Sequence, residues 1–405
     1  MGSGVFEDDI MRVVTDEAIP WREMEGATVF VTGVTGLVGS ALVRVLNTAN
    51  DVRGLGLTII GCSRNIEDSK MLLQDHIIDA FIEWDVRGAF TTDNVSVDTL
   101  SVETPMLGTS NTTTPMEDES VADEIAMVTP TAVKLPQRLD YIFHCAAITQ
   151  SSEMVARPVD VIAAAVDGTR NVLELAKEKQ CRSFVYLSSM EVYGQTELTE
   201  VRESDLGFVD LSLPRTCYPE SKRMCENLCS AYLAQFGIPV KNARLALTFG
   251  AGMSKIDGDS RVFMQFARKA IVGEDIELHT AGDSIINCCY ITDTIAGLLI
   301  VLLNGENGEA YNIANPEASM AVRDMAAVVA DKACGGRIGV ITKIPDDIGK
   351  RGYAPDCGHI INIDKLRSLG WMPRYGLTEM FTRMMTYMGE LKLAEGIAEE
   401  NTGDA

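Results

Sequence analysis

Tyr218 and Lys222 stand four residues apart in CYPESKR, residues 217 to 223. The segment reads as the start of a helix, where that spacing puts both side chains on one face. An ammonium beside a phenol stabilises the phenolate and lowers its pKa, which makes the tyrosine a usable acid or base at a carbinol carbon. Ser189, closing the strand candidate SFVYLSS at 183 to 189, offers a hydroxyl to the same substrate oxygen. A tyrosine and a lysine at this spacing are common by chance. Their place downstream of a glycine-rich turn and of a strand ending in Ser-Ser gives the group its meaning.

That turn lies in VFVTGVTGLVGS, residues 29 to 40, with Gly33, Gly36 and Gly39 three apart where strand gives way to helix. Glycines there permit a tight turn, close approach of backbone to a pyrophosphate and tight packing of helix on sheet, and the helix N-terminus offers unpaired N–H groups to the anion. Dinucleotide folds place an acid for the ribose hydroxyls of NAD at the end of the second strand. Here the residues are Cys62, Ser63 and Arg64, with no carboxylate. Ser63 and Arg64 suit the 2′-phosphate of NADP, and an arginine lying over the adenine ring with no preference between the cofactors is the other reading. Asp85, closing the third strand, is placed to bond the adenine.

Strands alternating with helices must position these groups. ATVFVT at 27 to 32, the apolar run 57 to 62, a third run ending at Trp84-Asp85, DYIFHCAA at 140 to 147 and SFVYLSS are continuously apolar rather than alternating. That pattern predicts an α/β fold, a Rossmann doubly wound parallel sheet covered on both faces. We expect an N-terminal polar arm over 1–25 and a Rossmann domain over 26–250. A smaller C-terminal α/β lobe, mainly substrate-binding, is expected over 251–390, including RVFMQFARKAIVG and GEAYNIAN, and a flexible tail over 391–405. Residues 91–135 hold eight acidic residues, one lysine and many Ser and Thr, a composition that cannot build a core and reads as a mobile surface insertion.

The chain has 405 residues, 46% of them apolar and 23% charged, as expected of an ordinary soluble protein with one large core or two smaller ones. Ile295 to Leu303 is the longest apolar run, well short of the roughly 20 residues a membrane span needs. MGSGVFEDDI lacks the order of a signal peptide, so the default compartment is cytoplasmic. A net charge of −23 repels phosphate backbones and argues against nucleic acid as a partner. Ten cysteines and four histidines show no CxxC pair and no zinc-ligand spacing, so no metal is expected and the thiols read as reduced core residues.

TGVTGLVG, HCAA, YLSSMEVYG, PRTCYPESKR, ARLALTFGAG, DSRVF and LGWMP together resemble an extended short-chain dehydrogenase/reductase of the NAD-dependent epimerase/dehydratase type. The likeness runs over roughly residues 26 to 385 and is strongest to nucleotide-sugar decarboxylases (the UDP-xylose synthase type) and dehydratases. The resemblance implies that the cofactor, NAD or NADP, is held by Gly33, Thr35, Gly36, Leu37, Val38 and Gly39. Ser63, Arg64, Asp85, Val86, Ala146, Ala147, Tyr218 and Lys222 would complete its site. It implies a catalytic Ser189, Tyr218 and Lys222, with Glu191 beside the sugar, and Arg261 contacting the nucleotide part of the substrate. The implied reaction oxidises a sugar secondary alcohol to a 4-keto intermediate, lets the neighbouring carbons react and returns the hydride. The implied partner is a second copy of the chain, through the helices near Val155 to Lys179 and Tyr218 to Gln235.

The sequence departs from that pattern at four positions. Met190 stands where sugar dehydratases carry the acid for water loss, and Ile286 where the decarboxylases carry a phosphate-binding arginine. Leu247 and Ala165 replace a polar amide and an asparagine. A lost charge-assisted phosphate contact costs about 1.5–3 kcal/mol. The substrate is therefore held differently or is not the usual nucleotide sugar. An NADP-dependent reductase of another carbonyl compound and a non-catalytic dinucleotide sensor are the competing readings.

Overall fold

In the computed structural model, which describes residues 4–73, 77–91, 96–99, 135–252, 261–344, 346 and 357–402, the apolar runs of the sequence form the middle of one sheet. Strands β1 (Thr28–Thr32), β2 (Thr58–Ser63), β3 (Ala80–Glu83), β4 (Ser96–Thr99), β5 (Tyr141–His144), β6 (Ser183–Ser189), β8 (Val240–Leu245) and β12 (Ala310–Ile313) lie in the order β12-β8-β6-β5-β1-β2-β3-β4. Seven run parallel, and β4 pairs antiparallel with β3 at the edge. Both faces are covered, which is why the strands lack alternation. Val29 and Val31 of β1 join a core with Ala41 and Leu42 of α2 (Leu37–Arg53) and Leu298 of α8 (Ile291–Asn304). Phe30, pointing the other way, joins Val172 of α5 (Pro158–Glu178) and Cys225 of α6 (Cys217–Phe236). The shorter helices α3 (Ile66–Leu73) and α4 (Ser151–Ala156) precede β3 and α5.

The chain leaves β1 for β2 on one side and, after β4, returns to β5 on the other. A crevice therefore opens at the carboxyl ends of β1 and β5, the place where open parallel sheets bind ligands. Thr32 and His144 are register partners at that point, and the threonine hydroxyl meets His144 Nδ1 at 2.8 Å. Burial pushes the imidazole pKa down to about 3, so the ring is neutral and acts as a strut.

A second group of strands forms smaller sheets. β13 (Asn315–Ala321), β11 (Ile285–Tyr290) and β9 (Leu247–Phe249) make one, β10 (Ile276–Leu278) pairs with β14 (Val340–Thr342), and β15 (Ile360–Ile361) pairs with β7 (Glu200–Val201). Helices α7 (Val262–Val272), α9 (Val322–Val328), α10 (Asp364–Arg367) and α11 (Leu377–Thr402) complete the chain. The expected boundary at residue 250 needs correction. β12, from GEAYNIAN, pairs with β8 in the main sheet, and α8 joins the core on one face of that sheet. The two parts interleave because Tyr311 and Ile313 are buried in the core that α8 shares.

The N-terminal arm is also different from its polar reading. Residues 5–14 form helix α1 (Val5–Val14), whose Phe6, Ile10, Val13 and Val14 are buried. Asp9, fully buried, accepts from Tyr290 Oη at 2.6 Å, Tyr375 Oη at 3.0 Å and Arg383 Nη1 at 2.8 Å. Those partners satisfy a carboxylate that sequence alone places at the surface. Residues 391–402, expected as part of a flexible tail, continue helix α11. In the 91–135 segment, expected as a mobile insertion, β4 adds an edge strand, and residues 92–95 and 100–134 lie outside the described residues.

Asp293 gives this region a pH dependence. Its Oδ2 accepts from the backbone N–H of Arg374 at 2.9 Å and of Tyr375 at 3.3 Å, yet burial pushes its pKa up to about 7. A carboxyl favoured as the neutral acid in the folded state stabilises the fold fully below its unfolded pKa, and that contribution is lost as pH rises toward 7. Asp293→Asn keeps an oxygen acceptor without the charge. Its urea midpoint is expected to exceed that of the wild type above pH 7 and to converge with it near pH 4, where identical offsets at both pH values would contradict this account.

Among the described residues no helix is long and apolar enough to cross a membrane, and no group of three or more His, Cys, Asp or Glu is arranged to hold a metal ion.

Candidate active site

The glycine turn is built by contacts that exclude any side chain. Gly33 has φ +69°, and a Cβ there would sit 2.8 Å from the backbone nitrogen of Ala146. Thus the HCAA segment after β5 lies directly against the turn after β1, with Ala146 N donating to Thr32 Oγ1 at 3.2 Å. Gly39 is the tightest of the three, since its Cβ would fall 2.3 Å from Gly33 O. Gly36 is the extended N-cap of α2, where no side chain caps the helix and Ser40 N makes the first helical bond. The opening amides of α2, including those of Leu37 and Val38, are therefore presented without a side-chain acceptor, beside exposed Thr35.

This cradle fits a dinucleotide pyrophosphate. Gly39→Ala is expected to lower NAD affinity at least about tenfold and to destabilise the fold by about 1–3 kcal/mol, because the added methyl meets backbone rather than a movable side chain. Calorimetric titration and urea unfolding check both; an alanine variant with unchanged affinity would show that the turn holds nothing.

Ser63 and Arg64 part company in the structure. Ser63 is buried, and its hydroxyl is engaged by Asn65 O at 2.8 Å and Ser69 Oγ at 2.6 Å. Arg64 is exposed and lies in the electrostatic range of Asp85. Only half of the pair expected to take a 2′-phosphate is therefore available. Asp85 forms a two-pronged pair with Arg87, Nε to Oδ1 at 3.0 Å and Nη2 to Oδ2 at 2.6 Å, which with the other Arg87 bonds holds its carboxyl below the ordinary range. Val86 is pinned to α5, its carbonyl accepting from Asn171 Nδ2 at 2.8 Å.

At the far side of the crevice β6 ends in Ser188 and Ser189, and α6 begins beside it. Tyr218 is buried, and the Ser189 side chain is among the groups near enough to its phenol to favour ionisation. Lys222, one turn later and also buried, donates to Leu187 O at 2.6 Å and lies 5.7 Å from the centre of the Tyr218 ring. Burial pushes the lysine pKa down to about 8, so it can give up and recover a proton near neutral pH. Ser189, Tyr218 and Lys222 are thus gathered as expected. The expectation for the phenol itself is reversed. Burial first and the Glu191 charge second raise its pKa above the ordinary value, and the nearby Ser189 side chain and Arg215 only partly oppose them.

Glu191 follows Ser189 in a 3-10 turn, its backbone N–H donating to Ser189 Oγ at 3.2 Å. Sequence reasoning missed its partner, Arg215, which donates from Nη1 to one carboxylate oxygen at 3.0 Å and from Nη2 to the other at 3.1 Å. The signal was present in PRTCYPESKR, three residues before the tyrosine, but carried no role there. Also missed was the buried network behind Ser188. Ser188 Oγ donates to Glu226 at 2.5 Å, and Arg244 clamps both oxygens of Glu226 at 2.9 and 2.7 Å while reaching Tyr193 Oη at 3.1 Å.

Arg261 is half-buried at the start of α7, its guanidinium 5.0 Å from the centre of the Phe263 ring. Ile286 and Leu247 are half-buried against the core at β11 and β9, and Ala165 is buried on α5. Met190 likewise packs on the core beside Glu191.

Residues 111–314, half of the chain, match a family model described as the NAD dependent epimerase/dehydratase family. UDP-glucuronic acid decarboxylase 1 of Xenopus tropicalis is 32% identical over 249 residues, 62% of this chain and 56% of that relative, so the chain spans little more than half of the relative's length. Among solved structures, an epimerase of Methanothermobacter thermautotrophicus superposes with a TM-score of 0.67 at 21% identity, covering 96% of this chain and 97% of that one. The dTDP-glucose 4,6-dehydratase of Streptomyces venezuelae, solved with NAD and TYD bound, gives 0.65 at 19% identity, with 90% and 97% covered. At these identities the structural likenesses establish the fold.

Proposed function

The chain belongs to the NAD-dependent epimerase/dehydratase family, and from that premise we propose that it is an NAD-dependent nucleotide-sugar enzyme of the epimerase, dehydratase or decarboxylase type. The observation that carries this reading is the juxtaposition of Ser189, Tyr218 and Lys222 with a glycine cradle across one crevice. Its support from relatives is the decarboxylase named above and the NAD-bound dehydratase.

Gly33, Gly36 and Gly39 hold the pyrophosphate, and Asp85 and Val86 line the adenine side. The chemistry the dinucleotide supplies when bound is hydride acceptance from the carbinol carbon and its return. Ser189 orients the substrate hydroxyl, and Tyr218 takes its proton while giving up its own phenolic proton toward the Lys222 amine. Lys222 holds or relays that proton, its lowered pKa keeping both protonation states within reach. Glu191 acts beside the adjacent carbons, and Arg261 takes the nucleotide end. Met190, in place of an acid, weighs against elimination of water. Engagement of the Ser63 hydroxyl within its own loop favours NAD over NADP.

UDP-glucuronate, UDP-glucose and dTDP-glucose incubated with the protein and catalytic NAD test the proposal. A changed sugar, read by mass spectrometry, without stoichiometric NADH is the expected result. Stoichiometric consumption of NADPH with a carbonyl compound, and no change in any nucleotide sugar, would replace it with the reductase reading.

A homodimer is part of the proposal. Val155 is 44% exposed on α4, and Val159 and Ile162 are 74% and 44% exposed on α5, an apolar face beside α6 suited to a second copy. Light scattering is expected to give twice the chain mass, and a monomeric mass would remove this part.

A further inference from the structure

The carboxylate nearest the Ser189–Tyr218 pair does not stand alone. Glu191 projects from the turn that ends β6, and Arg215 from the turn Pro214–Thr216 that begins α6. The Arg215 side chain is 11% exposed and that of Glu191 25%, so the pair is shielded and its two parallel hydrogen bonds fix both planes. Both turns are themselves anchored. Thr216 Oγ1 donates to Asp210 O at 2.8 Å and to Leu213 O at 2.7 Å, and Glu191 N donates to Ser189 Oγ at 3.2 Å. The clamp therefore ties the strand that carries Ser189 to the helix that carries Tyr218.

We propose that Arg215 is a positioning residue of this site: its two-pronged grip fixes the Glu191 carboxylate between the turn that follows Ser189 and the turn that precedes Tyr218. The inference rests on the catalytic reading of Tyr218 given above. The two side chains influence the phenol in opposite senses, Glu191 disfavouring its ionised form and Arg215 favouring it. A residue that only braced two turns would have no such signature. A charge beside an ionising group displaces its titration in a direction set by sign.

The test is ultraviolet difference titration of the NAD-loaded protein, each variant compared with the same variant carrying Tyr218→Phe, so that only the tyrosinate of Tyr218 is read. Glu191→Gln is expected to lower the midpoint by about one pH unit and Arg215→Met to raise it by about the same. The double variant is expected to return close to the wild type. Should Arg215→Met fail to fold, Arg215→Lys keeps the charge without the fork; it is expected to hold the wild-type midpoint while turnover falls about tenfold. Shifts in the same direction, no shift, or a double variant that fails to return would overturn the proposal. Because the readout needs no turnover, opposite shifts in a protein that converts no nucleotide sugar would sink the functional reading and leave this one standing.

Discussion

Tyr218→Phe is expected to lower turnover at least about a hundredfold while leaving NAD affinity within about twofold of the wild type. Phenylalanine fills the same volume, so the buried site loses an oxygen and no packing. The hydroxyl it removes lies near the Ser189 side chain, and the neighbouring Glu191 carboxylate is already engaged by both terminal nitrogens of Arg215. Lys222 stays bonded to Leu187 O, and its charge alone cannot accept the substrate proton at that position. A hundredfold loss corresponds to about 2.7 kcal/mol in the barrier, within the range of one acid–base group. Steady-state kinetics with the active nucleotide sugar measures it, and retention of more than a tenth of wild-type turnover would remove Tyr218 from the chemistry.

The largest effect on stability is expected at Arg244. Its side chain is 5% exposed and that of Glu226 13%, and the fork of two hydrogen bonds is joined by Ser188, Tyr193 and the carbonyl of Glu203 at 2.7 Å. Arg244→Met leaves the Glu226 carboxylate shielded from water with Ser188 as its remaining donor from this network. Breaking a buried pair from one side costs about 3–5 kcal/mol, whereas replacing both partners by apolar groups is close to neutral. Urea unfolding is expected to show that loss in Arg244→Met and recovery of most of it in Arg244→Met with Glu226→Leu. A single-variant loss under about 1 kcal/mol would mean that the pair behaves as an exposed one. Because Ser188 adjoins Ser189, the same variant is expected to slow catalysis.

What the sequence disclosed was local. Gly33, Gly36 and Gly39 announce their turn because all three lie within one short strand-to-helix junction, where Gly33 takes a left-handed φ and Gly39 packs against the Gly33 carbonyl. Tyr218 and Lys222 announce their helix because a spacing of four is a property of one element. The strands were legible from continuous apolar runs, since burial on both faces erases alternation.

What was hidden depends on partners far along the chain. Asp9 reads as one more acid in FEDDI, and only Tyr290, Tyr375 and Arg383 make it a buried acceptor. Arg215 lies 24 residues from Glu191 on another element, so no periodicity connects them. β12 was assigned to the wrong part because its edge pairing with β8 is a matter of topology, which a short apolar run cannot specify. The direction of the Tyr218 shift was misread for the same reason. Lys222 was counted in the sequence, but burial and the Glu191 charge belong to the folded site.

Mass spectrometry of the small molecules released on denaturing freshly purified protein separates an enzyme with internal redox from a reductase. An enzyme that takes a hydride from a sugar and returns it need not release its dinucleotide, so NAD is expected in near-stoichiometric yield, with a nucleotide sugar beside it where product is retained. NADP in its place would contradict the account and move the chain to the carbonyl reductases.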